Sequence, residues 1–217
     1  MAVDDSISRV VRFLESNNLA DDTLVIYMGD NGFMLGEHGL IDKRQAYEES
    51  IRVPMVAWSP GFIEPGTVIE ENILNIDLAP TFLEMAETQM RNGQPVDGES
   101  FLSVLEDGGT DDWRDTFVYQ YFWEHAFPQT PTTYAIRSDR FKYIFYHGVW
   151  DLNELYDLQS DPEEMHNLID IPAYSDEVES LHTQLFGFLE RNDALDVGFR
   201  TPDLNGFVQR ERRNHPD

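Results

Sequence analysis

Residues 23–54 read TLVIYMGDNGFMLGEHGLIDKRQAYEESIRVP, and the fold turns on how this stretch is understood. It begins with a near-continuous apolar run, Leu24 to Met28, the pattern of a strand buried on both faces of a parallel sheet. The run breaks at Gly29-Asp30-Asn31-Gly32, and a segment rich in His, Lys, Arg and Glu follows. Open α/β sheets present chemistry in this way, because ligands gather at the carboxyl ends of their strands. The two glycines let the chain turn sharply and leave the Asp30 and Asn31 side chains free to reach a ligand. A plain turn is the competing reading, since Asn-Gly is the favoured pair of a tight hairpin. A hairpin, however, needs a second strand at once, and residues 33–41 carry Gly36, Gly39 and charged residues instead of an alternating strand.

Outward from this stretch, residues 2–18 form an amphipathic helix, with Ile7, Val10, Val11 and Leu14 at helical spacing and Asp4, Asp5 or Ser6 as N-cap. Residues 53–58 are a second buried-strand candidate, closed by Ser59-Pro60-Gly61. Residues 77–86 read as a helix that tolerates Pro80 in its first turn. A Gly/Asp cluster at 106–112 marks a boundary. Beyond it, residues 116–122, 133–137 and 140–146 are rich in Tyr, Phe, Ile and Val, with Ser138-Asp139 as a two-residue turn, and predict an antiparallel sheet. Asp161-Pro162-Glu163-Glu164 has the form of a helix start. Residues 175–190 predict a final helix with Val178, Leu181, Leu185 and Phe188 on one face. The expected organisation is an α/β domain over 1–112, followed by an antiparallel subdomain with a terminal helix and tail over 113–217.

Composition narrows the function. The chain has 217 residues, 41% of them hydrophobic, so a sizeable core is available. It carries 41 acidic residues against 15 Lys plus Arg, a formal net charge of -26. Such a surface repels nucleic acid and anionic membranes, so neither is an expected partner, and an anionic substrate needs a local cationic pocket. No segment reaches the length of a membrane span, and the N-terminus shows no secretory pattern. Cysteine is absent, which excludes disulfides and thiolate metal ligation. Walker, His-Glu-x-x-His and Gly-x-Ser-x-Gly motifs are also absent. The oxygens of Asp30 and Asn31 suit Ca²⁺ or Mg²⁺.

The runs Asp30-Asn31-Gly32, Gly36-Glu37-His38-Gly39, Asp42-Lys43-Arg44, Tyr47-Glu48, Arg52-Val53-Pro54, Asn75-Ile76-Asp77-Leu78-Ala79-Pro80-Thr81 and Glu154-Leu155-Tyr156-Asp157-Leu158 follow one another in an order that resembles the sulfatase family of the alkaline phosphatase superfamily. The similarity covers most of the chain and is greatest to carbohydrate sulfatases such as N-acetylglucosamine-6-sulfatases. It implies the C-terminal part of an alkaline-phosphatase-like sandwich with a mainly parallel sheet, followed by a small antiparallel subdomain. It implies Asp30 and Asn31 as two ligands of a divalent ion, Ca²⁺ with Mg²⁺ as the alternative. Lys43 then contacts the sulfate, Arg44 touches substrate, and His38 lines the cleft or assists the leaving group; for His38 a structural loop role stands equal. Ion pairs of Arg44 and Arg52 with Glu48 or Glu49 compete with a substrate role. Trp123, His125 and His147 either border a sugar cleft or pack at the core or surface, and Arg210, Arg212 and Arg213 read as a solvated tail.

The family's nucleophile is a formylglycine made within a Cys/Ser-x-Pro-x-Arg motif, and these residues contain none. The resemblance places that motif and the remaining metal ligands in an N-terminal half. It follows that the chain alone binds metal weakly and is inactive, and that the edge of its first sheet is exposed. The expected substrate is a sulfated carbohydrate or other sulfate ester. A phosphonate or phosphate ester hydrolase of the same superfamily, or a binding module that has lost catalysis, are the alternatives. The family is often periplasmic or secreted, and the chain itself leaves the compartment open.

Overall fold

A computed structural model describes residues 2–110, 112–148 and 152–195. The tail arginines Arg210, Arg212 and Arg213 lie outside these residues. In chain order the elements are α1 (Ala2–Ser16), β1 (Val25–Met28), α2 (Glu48–Ile51), β2 (Met55–Trp58), α3 (Leu78–Met85), α4 (Leu102–Asp107), β3 (Thr116–Tyr121), β4 (Thr133–Ser138), β5 (Phe141–Tyr146), β6 (Glu154–Asp157) and α5 (Ser175–Arg191). They divide into two compact units, one of Met1–Asp30 with Val53–Arg114 and one of Asn31–Arg52 with Asp115–Asp217.

In the first unit β1 and β2 pair antiparallel, from Val25 opposite Trp58 to Met28 opposite Met55. Among the described residues both sheets are antiparallel, so the mainly parallel sheet expected from the apolar run is corrected. An apolar run reports burial, and nothing in it encodes the direction of a neighbour. Burial is also one-sided. Leu24, Ile26, Met55 and Ala57 pack towards Phe101, Val104 and Leu105. Tyr27 and Val56, opposite each other on the other face, remain 43% and 61% exposed. This is the two-residue alternation of a strand with one face covered. None of the described side chains of α1 is buried, although Val3, Val10 and Phe13 are apolar.

A buried ion pair ties the loops of this unit. Asp77 has no exposed surface, and the guanidinium of Arg114 grips both its carboxylate oxygens, one through Nη2 at 2.8 Å. The same oxygens accept the backbone N–H of Leu74 at 2.7 Å and of Glu99 at 2.9 Å. One side chain thereby fixes the start of α3 and the approach to α4.

The second unit is an antiparallel meander in the order β3-β4-β5-β6. Its side chains alternate cleanly between faces. Tyr134, Ile136, Tyr143 and Leu155 meet Leu181, Leu185 and Leu189 of α5. Ala135, Ile144, Tyr146 and Tyr156 meet Met34, Ala46 and Tyr47 from the 31–52 segment. α5 buries Leu189 where Phe188 was expected, and Phe188 is 38% exposed. The β4–β5 turn lies one residue later than predicted, because Ser138 stays in the strand and its hydroxyl accepts the Phe141 N–H at 2.9 Å. The predicted helix start at Asp161 closes a single turn only, with Glu164 N–H donating to Asp161 O at 3.1 Å. Glu164 then takes φ 53 and turns its side chain inward. No described helix is long and apolar enough to cross a membrane.

Removing one partner of a buried ion pair strands the other charge, at a cost of about 3–5 kcal/mol. Asp77→Ala is therefore expected to lower the unfolding free energy by that amount in a denaturant titration, and Glu99→Ala, at the exposed rim, by less than about 1 kcal/mol.

Candidate active site

The 31–52 segment is shaped by local backbone constraints before any tertiary contact. Gly32 donates its N–H to Ser50 O at 2.9 Å, and a Cβ at this position would stand 2.0 Å from the Glu49 carbonyl oxygen. Only glycine permits that approach. Met34 N–H donates to Asp42 O at 2.8 Å, closing the excursion between them. Within it lies a 3₁₀ turn, Glu37–Gly39, in which His38 adopts φ 54 and ψ 18.

Asn31 and Lys43 come together here. Lys43 Nζ donates to Asn31 Oδ1 at 2.9 Å, while Asn31 Nδ2 donates to Gly32 O at 2.7 Å. Lys43 is exposed. Its backbone N–H donates to Asp42 Oδ1 at 2.7 Å. Asp30 closes the first unit and is exposed. The hard oxygens of Asp30 and Asn31 fit a calcium-type cation in kind, but two side chains supply only part of the roughly six to eight oxygens that ion takes.

Arg44 does not pair with Glu48 or Glu49. Its Nη1 donates to Asp42 Oδ1 at 2.6 Å, and its guanidinium lies 3.2 Å from the centroid of the Phe127 ring. Asp42 Oδ2 also accepts the Thr130 hydroxyl at 3.3 Å. Burial pushes the Asp42 carboxyl up, but the Lys43 N–H and the Arg44 guanidinium outweigh it and hold the group below the usual range. Arg52 is exposed.

His38 stacks on Tyr47, with ring centroids 3.8 Å apart and planes 9° from parallel. Its Nε2 faces Glu49 Oε2 at 3.4 Å. Trp123 lies at the surface, 36% exposed, with its indole N–H donated to Pro128 O and its ring edge-on to His125. His147 is exposed.

Sequence reasoning missed the group that anchors this segment. Lys142, fully buried, places Nζ 2.8 Å from Glu48 Oε1 and 2.7 Å from Glu164 Oε1. Glu48 also receives Arg137 Nε at 3.0 Å, and its backbone N–H donates to Glu164 Oε2 at 2.7 Å. Burial raises Glu48, but Lys142 and Arg137 outweigh it and the carboxyl stays low; at Glu164 burial prevails and the carboxyl is raised. Beside this, the hydroxyls of Tyr47, Tyr146 and Tyr156 all donate to Glu154 at 3.0–3.2 Å. The one available signal was a lysine inside an otherwise apolar, aromatic-rich strand, Phe141-Lys142-Tyr143-Ile144-Phe145-Tyr146, where a charge demands a partner.

Two predictions follow from this geometry. Gly32→Ala forces the Glu49 carbonyl to move, costing about 1–3 kcal/mol in the unfolding free energy. Asp42 and Glu48 have folded-state pKa values below their unfolded ones, so the stability they lend is complete above the carboxylate range of about 4 and is lost as pH falls through the folded values. Loss of the Asp42 and Glu48 contribution is thus expected to lower thermal stability as pH falls below about 5, with a shallower fall in Asp42→Asn, while the raised Glu164 carboxyl acts in the opposite sense as pH rises.

A protein-family profile described as N-sulphoglucosamine sulphohydrolase, C-terminal, matches residues 36–191. An N-acetylglucosamine-6-O-sulfatase of Bacteroides thetaiotaomicron is 37% identical over 177 residues, covering 81% of this chain and 31% of that protein. An N-acetylglucosamine-6-sulfatase of Bos taurus is 31% identical over 197 residues, covering 77% and 35%. The chain thus spans about a third of the length of these relatives. A solved structure described as a complex with its substrate D-glucosamine-2-N,6-O-disulfate superposes with TM-score 0.82 at 34% identity, covering 90% of this chain and 40% of the other. A phosphonate monoester hydrolase from Silicibacter pomeroyi superposes with TM-score 0.75 at 26% identity, covering 98% and 43%.

Proposed function

The chain belongs to the sulfatase family of the alkaline phosphatase superfamily, and we propose that it supplies the sulfate-holding segment of an enzyme that hydrolyses sulfate esters of a carbohydrate. The observation that carries this reading is the meeting of Lys43 and Asn31, residues that a metal- and sulfate-binding site needs side by side. Lys43 is the catalytic group of this chain. Its ammonium neutralises sulfate oxygens and stabilises charge growing on the leaving ester oxygen. Arg44, held flat by Phe127 and Asp42, borders the substrate. His38 takes part by holding the turn that presents Lys43, through its stack on Tyr47.

Asp30 and Asn31 would hold Ca²⁺, or Mg²⁺ in its place, and such a cation supplies Lewis-acid polarisation of a sulfate oxygen when bound. The nucleophile on the family pattern is a formylglycine, whose Cys/Ser-x-Pro-x-Arg motif does not occur in these 217 residues. The chain by itself is therefore expected to be inactive and to bind the cation weakly. The relatives named for N-acetylglucosamine 6-sulfate chemistry favour an amino-sugar sulfate as substrate. A phosphonate or phosphate ester is the second reading, favoured by the likeness to the Silicibacter pomeroyi hydrolase.

The test is desulfation of N-acetylglucosamine 6-sulfate by the polypeptide translated from the complete open reading frame that encodes these residues. Lys43→Ala is expected to lower kcat/KM by about 10²–10³-fold. Its unfolding free energy should be unchanged within about 0.5 kcal/mol, as for an exposed residue. Activity within a few-fold of wild type in Lys43→Ala, or a reading frame without the nucleophile motif, would remove the catalytic reading and leave the binding module. Faster turnover of a phosphonate monoester than of the sulfate would favour the second reading.

A further inference from the structure

A different set of polar side chains in the second unit has the makings of a ligand site. The His38 side chain is about nine-tenths buried, at 10% exposure, and is held in the left-handed region at φ 54. Its Nε2 and Glu49 Oε2 face each other at 3.4 Å, yet neither atom has a hydrogen-bond partner among the described residues. The fully buried Glu164 brings a carboxylate oxygen into the same space, and the three ligand atoms lie within 4.8 Å of one another.

Charge and distance both call for a cation there. Lys142 and Arg137 lie against Glu48 and Glu164, whereas the Glu49 carboxylate, at the far end of the cluster, faces the His38 imidazole. Two lone-pair-bearing atoms set face to face repel unless something positive sits between them, and a proton there would make the directed hydrogen bond that is lacking. Ligand atoms about 2.0–2.2 Å from a tetrahedral zinc ion stand roughly 3.3 Å apart, close to the observed His38–Glu49 spacing. The Glu49 side chain, 26% exposed, provides the entrance and the freedom to close the remaining distance. Lys142 occupies one side of Glu164 Oε1 at 2.7 Å, and a carboxylate oxygen retains a second lone pair.

We propose that His38, Glu49 and Glu164 form a site for a divalent cation of the zinc class, made of other side chains than Asp30 and Asn31. One imidazole with two carboxylates selects such a metal over calcium, and three protein ligands leave a coordination position for water.

Calorimetric titration of the chelator-treated 217-residue chain with Zn²⁺ in excess Ca²⁺ tests this directly, with Co²⁺ as a spectroscopic probe. One saturable equivalent is expected, with visible Co²⁺ absorption of low coordination number. Affinity should fall by roughly 100-fold in His38→Ala and in the isosteric Glu49→Gln, beyond what loss of a mere supporting partner costs, and persist in Asp30→Asn. Unchanged unfolding of metal-free Glu49→Gln keeps that comparison free of folding effects. Absence of a saturable Zn²⁺ equivalent overturns the proposal. So does a site that survives both His38→Ala and Glu49→Gln, or one that is lost in Asp30→Asn.

Discussion

The ammonium of Lys142 has no access to water, and the second unit is built around that constraint. A buried cation is tolerated only when anions reach it, because its desolvation otherwise costs several kcal/mol. Glu48 comes from the 31–52 segment and Glu164 from the turn after β6, and both reach Lys142 on β5. The backbone N–H of Glu48 on Glu164 and the Tyr47 hydroxyl on Glu154 then lock the two contributors together. The segment that carries Asn31, His38 and Lys43 is thus fixed to the sheet by charge as well as by Met34 and Ala46. That pairing specifies one register for a stretch whose own secondary structure is slight.

Periodicity made the regular elements legible. The apolar spacing of α1 and α5 and the aromatic strands β3, β4 and β5 were readable within a residue or two, because each depends on neighbours close in sequence. The readings that failed depended on partners far away. Strand direction in β1 and β2 is set by which strand lies alongside, and the letters of residues 24–28 do not encode that. Asp161-Pro162-Glu163-Glu164 carries every local signal of a helix start, yet Glu164 is claimed by Lys142, and the claim overrides the propensity. Arg44 looked towards the nearby Glu48, whereas Glu48 was already committed to Arg137, 89 residues on.

The order of the motifs pointed to Asn31 and Lys43 together, and the two side chains are hydrogen-bonded. Phe127 beneath Arg44, and Glu49 and Glu164 beside His38, were not legible in that order. None of these has a sequence signal of its own. Each matters only through the meander that brings it to the 31–52 segment.

A chain of net charge -26 repels anions at long range, so the proposed sulfate contact depends on local charges. Arg44 is compensated by Asp42, while Lys43 meets the neutral amide of Asn31. The identity of residue 31 is what makes this work. A carboxylate at that position would pair with Lys43 and cancel its charge, leaving nothing to draw in a sulfate. An amide oxygen orients the ammonium without cancelling its charge. Neutrality at Asn31 therefore positions Lys43 without cancelling its charge, and the proposed sulfate contact rests on that pairing.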